Sequence, residues 1–360
     1  MTKSDLKTTR RTFVRALAAG AAAPALAGVM GGLATSALAA DPITLTVVSY
    51  GGSYQEAQDK AFFTPFQQAN PNIKIQQDSP SSNAKLKAMV EAGQVTWDVV
   101  DVADDFGLDA DAAWLEPIDY TIIDRDQYIE GYANTYRVGS DVEATIMAYR
   151  TDVHKTPPKT FANFFDLKAF PGKRTAWKYT PGGIFETALL ADGVVAADLY
   201  TVLATQEGVD RALKKLDTIK DSLIWWDTGA QSAQFLSSGE ASMGLLWCGR
   251  AAAAGESAPV GISWGQWTTQ NGWWVVPKGT PNKKAAMEAI KFFTSAESGV
   301  NLTKYLPYGP TNKNAVDKVD PRYKGNLPTD HLDTRVVIDF GWWNLNIAKI
   351  DPIFQQWLLG

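Results

Sequence analysis

The chain has 360 residues, with 39 acids against 34 lysines and arginines, so it offers no basic excess for neutralising phosphates and nucleic acid is not an expected partner. A single cysteine, Cys248, excludes an intramolecular disulfide or thiolate cluster, and the two histidines, His154 and His331, stand too far apart in sequence to suggest a metal pair. Stability must come from buried apolar surface, and most of the 13 tryptophans are expected in cores or between packed domains.

At the start, Thr9-Arg10-Arg11-Thr12-Phe13-Val14 sets a twin arginine ahead of an Ala- and Gly-rich run, Ala16 to Ala40, that closes on Ala37-Leu38-Ala39. This reads as a Tat-type signal peptide over residues 1–40, cleaved after Ala39 or Ala40; Pro24 and the glycines argue against a transmembrane anchor. Cleavage would remove five positive charges and one negative, moving the formal charge from −5 to −9 and mildly favouring cationic ligands.

Residues 43 to 50 then predict a β-strand, Gly51-Gly52 a tight turn and Ser53 a helix N-cap. From Tyr54 to Ala69, apolar Ala57, Ala61, Phe62, Phe66 and Ala69 recur at helical spacing, with a kink or interruption expected at Pro65. A short strand (73 to 77), a polar loop, a helix (84 to 92) and a strand (97 to 102) follow. Another strand spans 142 to 149, and the chain is expected to pass between domains near residue 147. Strands over 174 to 177, 222 to 226 and 241 to 247 alternate with helices over 185 to 190 and 208 to 218. Beyond them come a strand from Trp273 to Pro277, an amphipathic helix from Lys283 to Thr294, and a turn at Tyr308-Gly309-Pro310-Thr311. The alternation predicts two α/β domains built on mostly parallel sheets.

Several segments, in this order, carry a resemblance: Tyr50-Gly51-Gly52-Ser53-Tyr54, Trp97-Asp98-Val99-Val100, Ala148-Tyr149-Arg150-Thr151-Asp152 and Pro158 to Asp166. Pro171-Gly172-Lys173-Arg174, Phe235 to Ala241 and Tyr308 to Asn312 complete it. The chain resembles the extracellular solute-binding family of ABC importers whose best-known members bind spermidine and putrescine. That resemblance implies a two-lobed, type II-like periplasmic-binding-protein fold. Residues 41–146 plus 273–312 would form lobe 1 and residues 147–272 plus 313–360 lobe 2, with ligand captured between them by hinge closure.

In such sheets ligands sit at the carboxyl ends of strands, which selects candidate contacts. Tyr50, Gly51, Ser53 and Tyr54 follow the first strand; a plain strand-to-helix turn is the alternative there. Asp104 and Asp105 could pair with an amine, one of them instead capping a helix. Trp177 and Glu186 are second-lobe candidates, although Glu186 could equally be a helix N-terminal carboxylate. Trp226 and Asp227 offer an aromatic wall with a charge, and Trp247 precedes Arg250, which could grip a carboxylate or serve structurally. Trp273 and Tyr308 complete the set.

A box of aromatic faces and carboxylates suits amine capture, so the expected ligand is a polyamine such as putrescine or spermidine. Two departures favour a competitor: Gln270 to Pro277 and Tyr179 to Gly183 have no acid where polyamine binders carry one. With Arg250 present, a zwitterionic or carboxylated ligand, an ω-amino acid or opine-like compound, is the alternative. An exported enzyme lacks support, since no nucleophile elbow, paired-histidine site or phosphate loop is found and His154 reads as a surface loop residue. No cofactor or metal is expected. The expected partners are a small ligand and an ABC permease–ATPase complex, with the protein itself monomeric, not membrane-spanning and periplasmic.

Overall fold

In a computed structural model, residues 42–360 are described; the twin-arginine segment lies outside them. The β-branched run after Pro42 forms β1 (Ile43–Val48), followed by α1 (Gly52–Gln58), a π-helical turn (Asp59–Phe63) and α2 (Thr64–Ala69). Gly51, at φ 75°, is the N-cap, so the expected cap Ser53 instead lies exposed inside the first turn. Pro65 does not end the helix. It lacks an N–H and its ring crowds the carbonyl four residues back, and the π turn, in which the Thr64 N–H bonds the Asp59 carbonyl, widens the helix just ahead of it.

Next come β2 (Ile73–Asp78), α3 (Asn83–Glu91), β3 (Val99–Val102), β4 (Val138–Arg150), α4 (Phe161–Phe165), β5 (Arg174–Trp177) and α5 (Ile184–Ala191). They are followed by α6 (Leu199–Leu203), α7 (Gln206–Asp217), β6 (Leu223–Trp226), α8 (Gly229–Ser237), β7 (Met243–Trp247) and α9 (Cys248–Ser257). The chain closes with β8 (Val260–Val275), α10 (Lys283–Phe293), α11 (Ala296–Leu302), α12 (Lys313–Val316), β9 (Arg335–Val336) and α13 (Phe340–Leu359). Among the described residues no helix is long and apolar enough to cross a membrane.

The strands form one sheet in the order β2-β1-β3-β8-β4-β7-β5-β6, with β9 beside β8. Its two ends are parallel, β1 with β2 and β3, β5 with β6 and β7. Its middle is antiparallel: β8 pairs with β3 and along the length of β4, and β4 with β7. The strand expected at 273 to 277 is therefore only the end of a much longer one. The β4–β8 register jumps between Ile146 and Met147, where Trp267 and then Ser263 are the partners.

Two apolar cores flank this break. One gathers Phe62, Phe63, Trp274 and Phe293 around β1, β3 and α10, and includes Ile146. The other gathers Phe164, Phe185, Leu189 and Phe354 around α5, α7 and α13, and includes Met147. His154, expected in a surface loop, is buried with its ring against Phe170 in this second core.

Candidate functional site

A cavity of about 460 Å³ opens where the carboxyl ends of β3 and β5 face the N-terminus of α13. Asp104, Asp105, Thr145, Trp177, Gln270 and Trp343 are among its walls. A smaller pocket of about 50 Å³ adjoins it through Thr145, Trp177 and Gly183 and is closed by Trp226 and Trp247. Most of β4 is buried; its half-buried positions before the last residue are Glu143 and Thr145, two apart and hence on one face of the strand.

Two aromatic groups stand out, and Trp177 of the second lines both pockets. Tyr50 and Tyr54 have ring centroids 6.3 Å apart, and Tyr54 and Tyr308 5.9 Å. Trp177 stacks on Trp226 at 5.8 Å with 17° between planes, and Trp247 meets both edge-on. Trp226 is itself buried, so within this trio it backs Trp177.

Arg250 is exposed in the first turn of α9. A Cβ on Gly229 would stand 2.6 Å from its Nε and 3.0 Å from the Trp247 ring, so this glycine, first residue of α8, makes room for both. Tyr308 leans on the same turn, its hydroxyl 3.2 Å from where a Cβ on Gly249 would be. Among the described residues Arg250 enters no ion pair. Its guanidinium thus stands beside the N-terminus of α8 with no ion-pair partner of its own.

Other expected contacts have structural duties. The Asp104 carboxylate is buried and accepts from the Asn271 N–H at 2.7 Å, the Asn271 amide at 2.9 Å and the Trp273 indole at 2.8 Å. It therefore has little left to offer an amine and caps no helix. Trp273 turns inward as well, stacked on Tyr132 with the Arg137 guanidinium 3.9 Å from its ring centroid. Glu186 is fully buried and accepts from the Gly183 N–H at 2.7 Å, the Tyr200 hydroxyl at 3.0 Å and the Trp343 indole at 2.6 Å. It is the helix N-terminal carboxylate, and it docks α13. Asp227 is ion-paired to Lys178 at 2.5 Å. Gly51 lines a separate groove with Gln77 and Ser79. Asp105 does reach the cavity, where burial, the largest effect, pushes its carboxyl above the usual range.

Sequence reasoning passed over Glu143, although a lone acid between Val142 and Ala144 in a strand that is otherwise mostly buried was a visible signal. It also missed the start of α13, where the Asn344 side chain donates to the Asp105 carbonyl at 2.7 Å.

A family model described as "Bacterial extracellular solute-binding protein" matches residues 61–329. The chain belongs to that family. A gamma-aminobutyric acid-binding protein from Pseudomonas aeruginosa is 36% identical over 335 residues, covering 91% of this chain and 94% of the relative. The solved structure of a GABA receptor is 39% identical with a TM-score of 0.79, covering 88% of this chain and 97% of that one. The PBP AgtB from A. tumefaciens R10, in complex with agropinic acid, is 34% identical with a TM-score of 0.71, covering 88% of this chain and 99% of that one. The solute-binding protein described here thus has the two-lobed periplasmic-binding-protein fold and is an ABC transporter substrate-binding protein, not an enzyme.

Proposed function

We propose that this binding protein captures a zwitterionic ω-amino acid of the 4-aminobutyrate type rather than the polyamine first expected. The observation that carries the reading is Arg250, exposed beside Trp247 and Tyr308, aimed past the N-terminus of α8 and unmatched by any acid among the described residues. A carboxylate satisfies that arrangement, whereas either end of a diamine would be repelled by it. Asp105 lines the cavity, and Glu143 is a half-buried acid on the same face of β4 as the cavity-lining Thr145, a setting that suits an ammonium group. The likeness to GABA-binding relatives and to an agropinic acid complex supports the same ligand class.

In this reading the lobes are 41–146 plus 273–312 and 147–272 plus 313–360, although the first core also takes in Leu236, Cys248 and Trp267, and they close about the β4–β8 break between Ile146 and Met147. The protein works in the periplasm, reached through the twin-arginine signal of residues 1–40, and hands its ligand to an ABC permease. Calorimetric titration with 4-aminobutyrate, butyrate and putrescine tests the ligand class. Wild-type protein is expected to bind 4-aminobutyrate well above the other two, and Arg250→Ala to lose it by about 100-fold. Unchanged affinity for 4-aminobutyrate in Arg250→Ala would show that the carboxylate is held elsewhere.

A further inference from the structure

Beside the cleft lies a group of acids that the carboxylate site does not use. The single Tyr54 hydroxyl stands 2.9 Å from Asp101 Oδ2 and 2.7 Å from Asp141 Oδ2. Gln58 donates to the same Asp101 oxygen at 2.5 Å, and Ser140 to the Asp141 oxygen at 3.0 Å. Both aspartates are completely buried, and each leaves its other oxygen, Oδ1, without a partner. Gly272 closes the group; a Cβ there would lie 2.8 Å from the Tyr54 hydroxyl and 3.2 Å from Asp101 Oδ1. Glu143, two residues beyond Asp141 on the same face of β4, is the half-buried member, with Tyr308 as a neighbour.

We propose that Glu143 receives the ammonium group of the ligand, with the rings of Tyr54 and Tyr308 as walls and the Asp101–Asp141 pair as a buried negative reserve behind it. The inference rests on the zwitterion reading for its probe but not for its logic, since any ammonium-bearing ligand would use the same place. Three features support it. Tyr54 has one proton for two carboxylates, so the pair must itself hold a proton or repel. The groups facing Glu143 are Asp101, Asp104, Asp141, Cys248, Tyr50, Tyr54 and Tyr308, none of them cationic; Arg250 is a neighbour of Tyr308. Two phenol faces beside a carboxyl supply cation–π attraction and a counter-charge at one point.

Burial, then the charges of Asp141, Asp101 and Asp104, raises the Glu143 carboxyl well above the ordinary range, which favours its protonated form in the empty site. An arriving ammonium group replaces that proton. The charge balance is simple: a neutral carboxyl plus a cation gives an ion pair and one proton released to solvent. Capture is therefore accompanied by proton release.

The test is calorimetry of 4-aminobutyrate binding at neutral pH in phosphate and in Tris, whose ionisation enthalpies differ, on wild type, Glu143→Gln and Asp105→Asn. Wild type is expected to show a buffer-dependent binding enthalpy equivalent to release of up to one proton, with Glu143→Gln binding about 100-fold more weakly and losing that dependence. Melting temperatures of the ligand-free variants check that Glu143→Gln folds. Near-wild-type affinity in Glu143→Gln, or a loss confined to Asp105→Asn, overturns the assignment. Should wild type bind putrescine and not 4-aminobutyrate, the zwitterion reading fails, and the same variants titrated with putrescine still decide the ammonium site. Wild type binding neither overturns both.

Discussion

Asp104 shows how far one residue's meaning depends on distant chain. From sequence it is an acid at a strand end and a fair candidate for an amine contact; in the fold it is a buried acceptor for Asn271 and Trp273, 167 and 169 positions later, with Arg137 bonded to its carbonyl at 2.7 Å. Asp104→Ala would leave three donors unmatched and Arg137 without its neighbouring charge, and is expected to destabilise the protein by about 3–5 kcal/mol in denaturant titrations. A loss below about 1 kcal/mol would mean that the carboxylate is free for other work. Arg250, by contrast, could be read from sequence as a possible grip, because a single arginine after an aromatic strand end needs no long-range partner to stand out. Glu143 was equally visible, but the rule that ligands meet the ends of strands does not reach a residue in mid-strand.

At the scale of elements, β1, β5 and α10 followed from local pattern, since β-branched runs and 3.6-residue periodicity are local signals. The 16 residues of β8 did not, because Gly261, Gly265 and Gly272 break its pattern and its pairing with β4 is what makes it a strand. The helix α13 was equally hidden: Pro352 lies inside it, and what fixes it is the Trp343 indole on Glu186 and the Asn344 amide on the Asp105 carbonyl. Trp343→Phe keeps an aromatic ring but leaves Glu186 one donor short and a gap where the second ring stood, so a loss of about 2–4 kcal/mol is expected in thermal or chemical unfolding. Asn344→Ala removes a contact from one wall of the cavity to the other, and is expected to weaken 4-aminobutyrate binding a few-fold with little change in melting temperature. Gly272→Ala places a methyl against Tyr54 and Asp141, and an overpacking cost of about 1–3 kcal/mol is expected.

For the molecule as a whole, the acids divide into two classes with opposite effects on stability. Exposed Asp152 and half-buried Asp320, each hydrogen-bonded to an arginine, are held down at about 2, so what they contribute is present at neutral pH and lost only on strong acidification. Asp141 is pushed up to about 6, chiefly by burial, and Asp101, Glu143 and Glu186 are raised for the same first reason. A carboxyl raised in the folded state binds its proton more tightly there than in the unfolded chain. Its stabilisation is fully present below the unfolded value near 4, and fades as pH rises through the folded value. The ligand-free protein is therefore expected to be most stable on the acid side of neutrality, with denaturation midpoints falling between about pH 4 and pH 6 and beyond. Asp141→Asn, which cannot ionise, is expected to flatten the part of that fall between about pH 4 and pH 6, and a wild type whose stability rises through this window would refute the assignment. Saturating 4-aminobutyrate should reverse the trend above pH 6, because an ammonium group beside Glu143 stabilises the ionised acids that the empty cleft tolerates poorly. A ligand-induced rise in melting temperature that grows from pH 5 to pH 8 is the expected signature; a rise independent of pH would separate binding from these acids altogether.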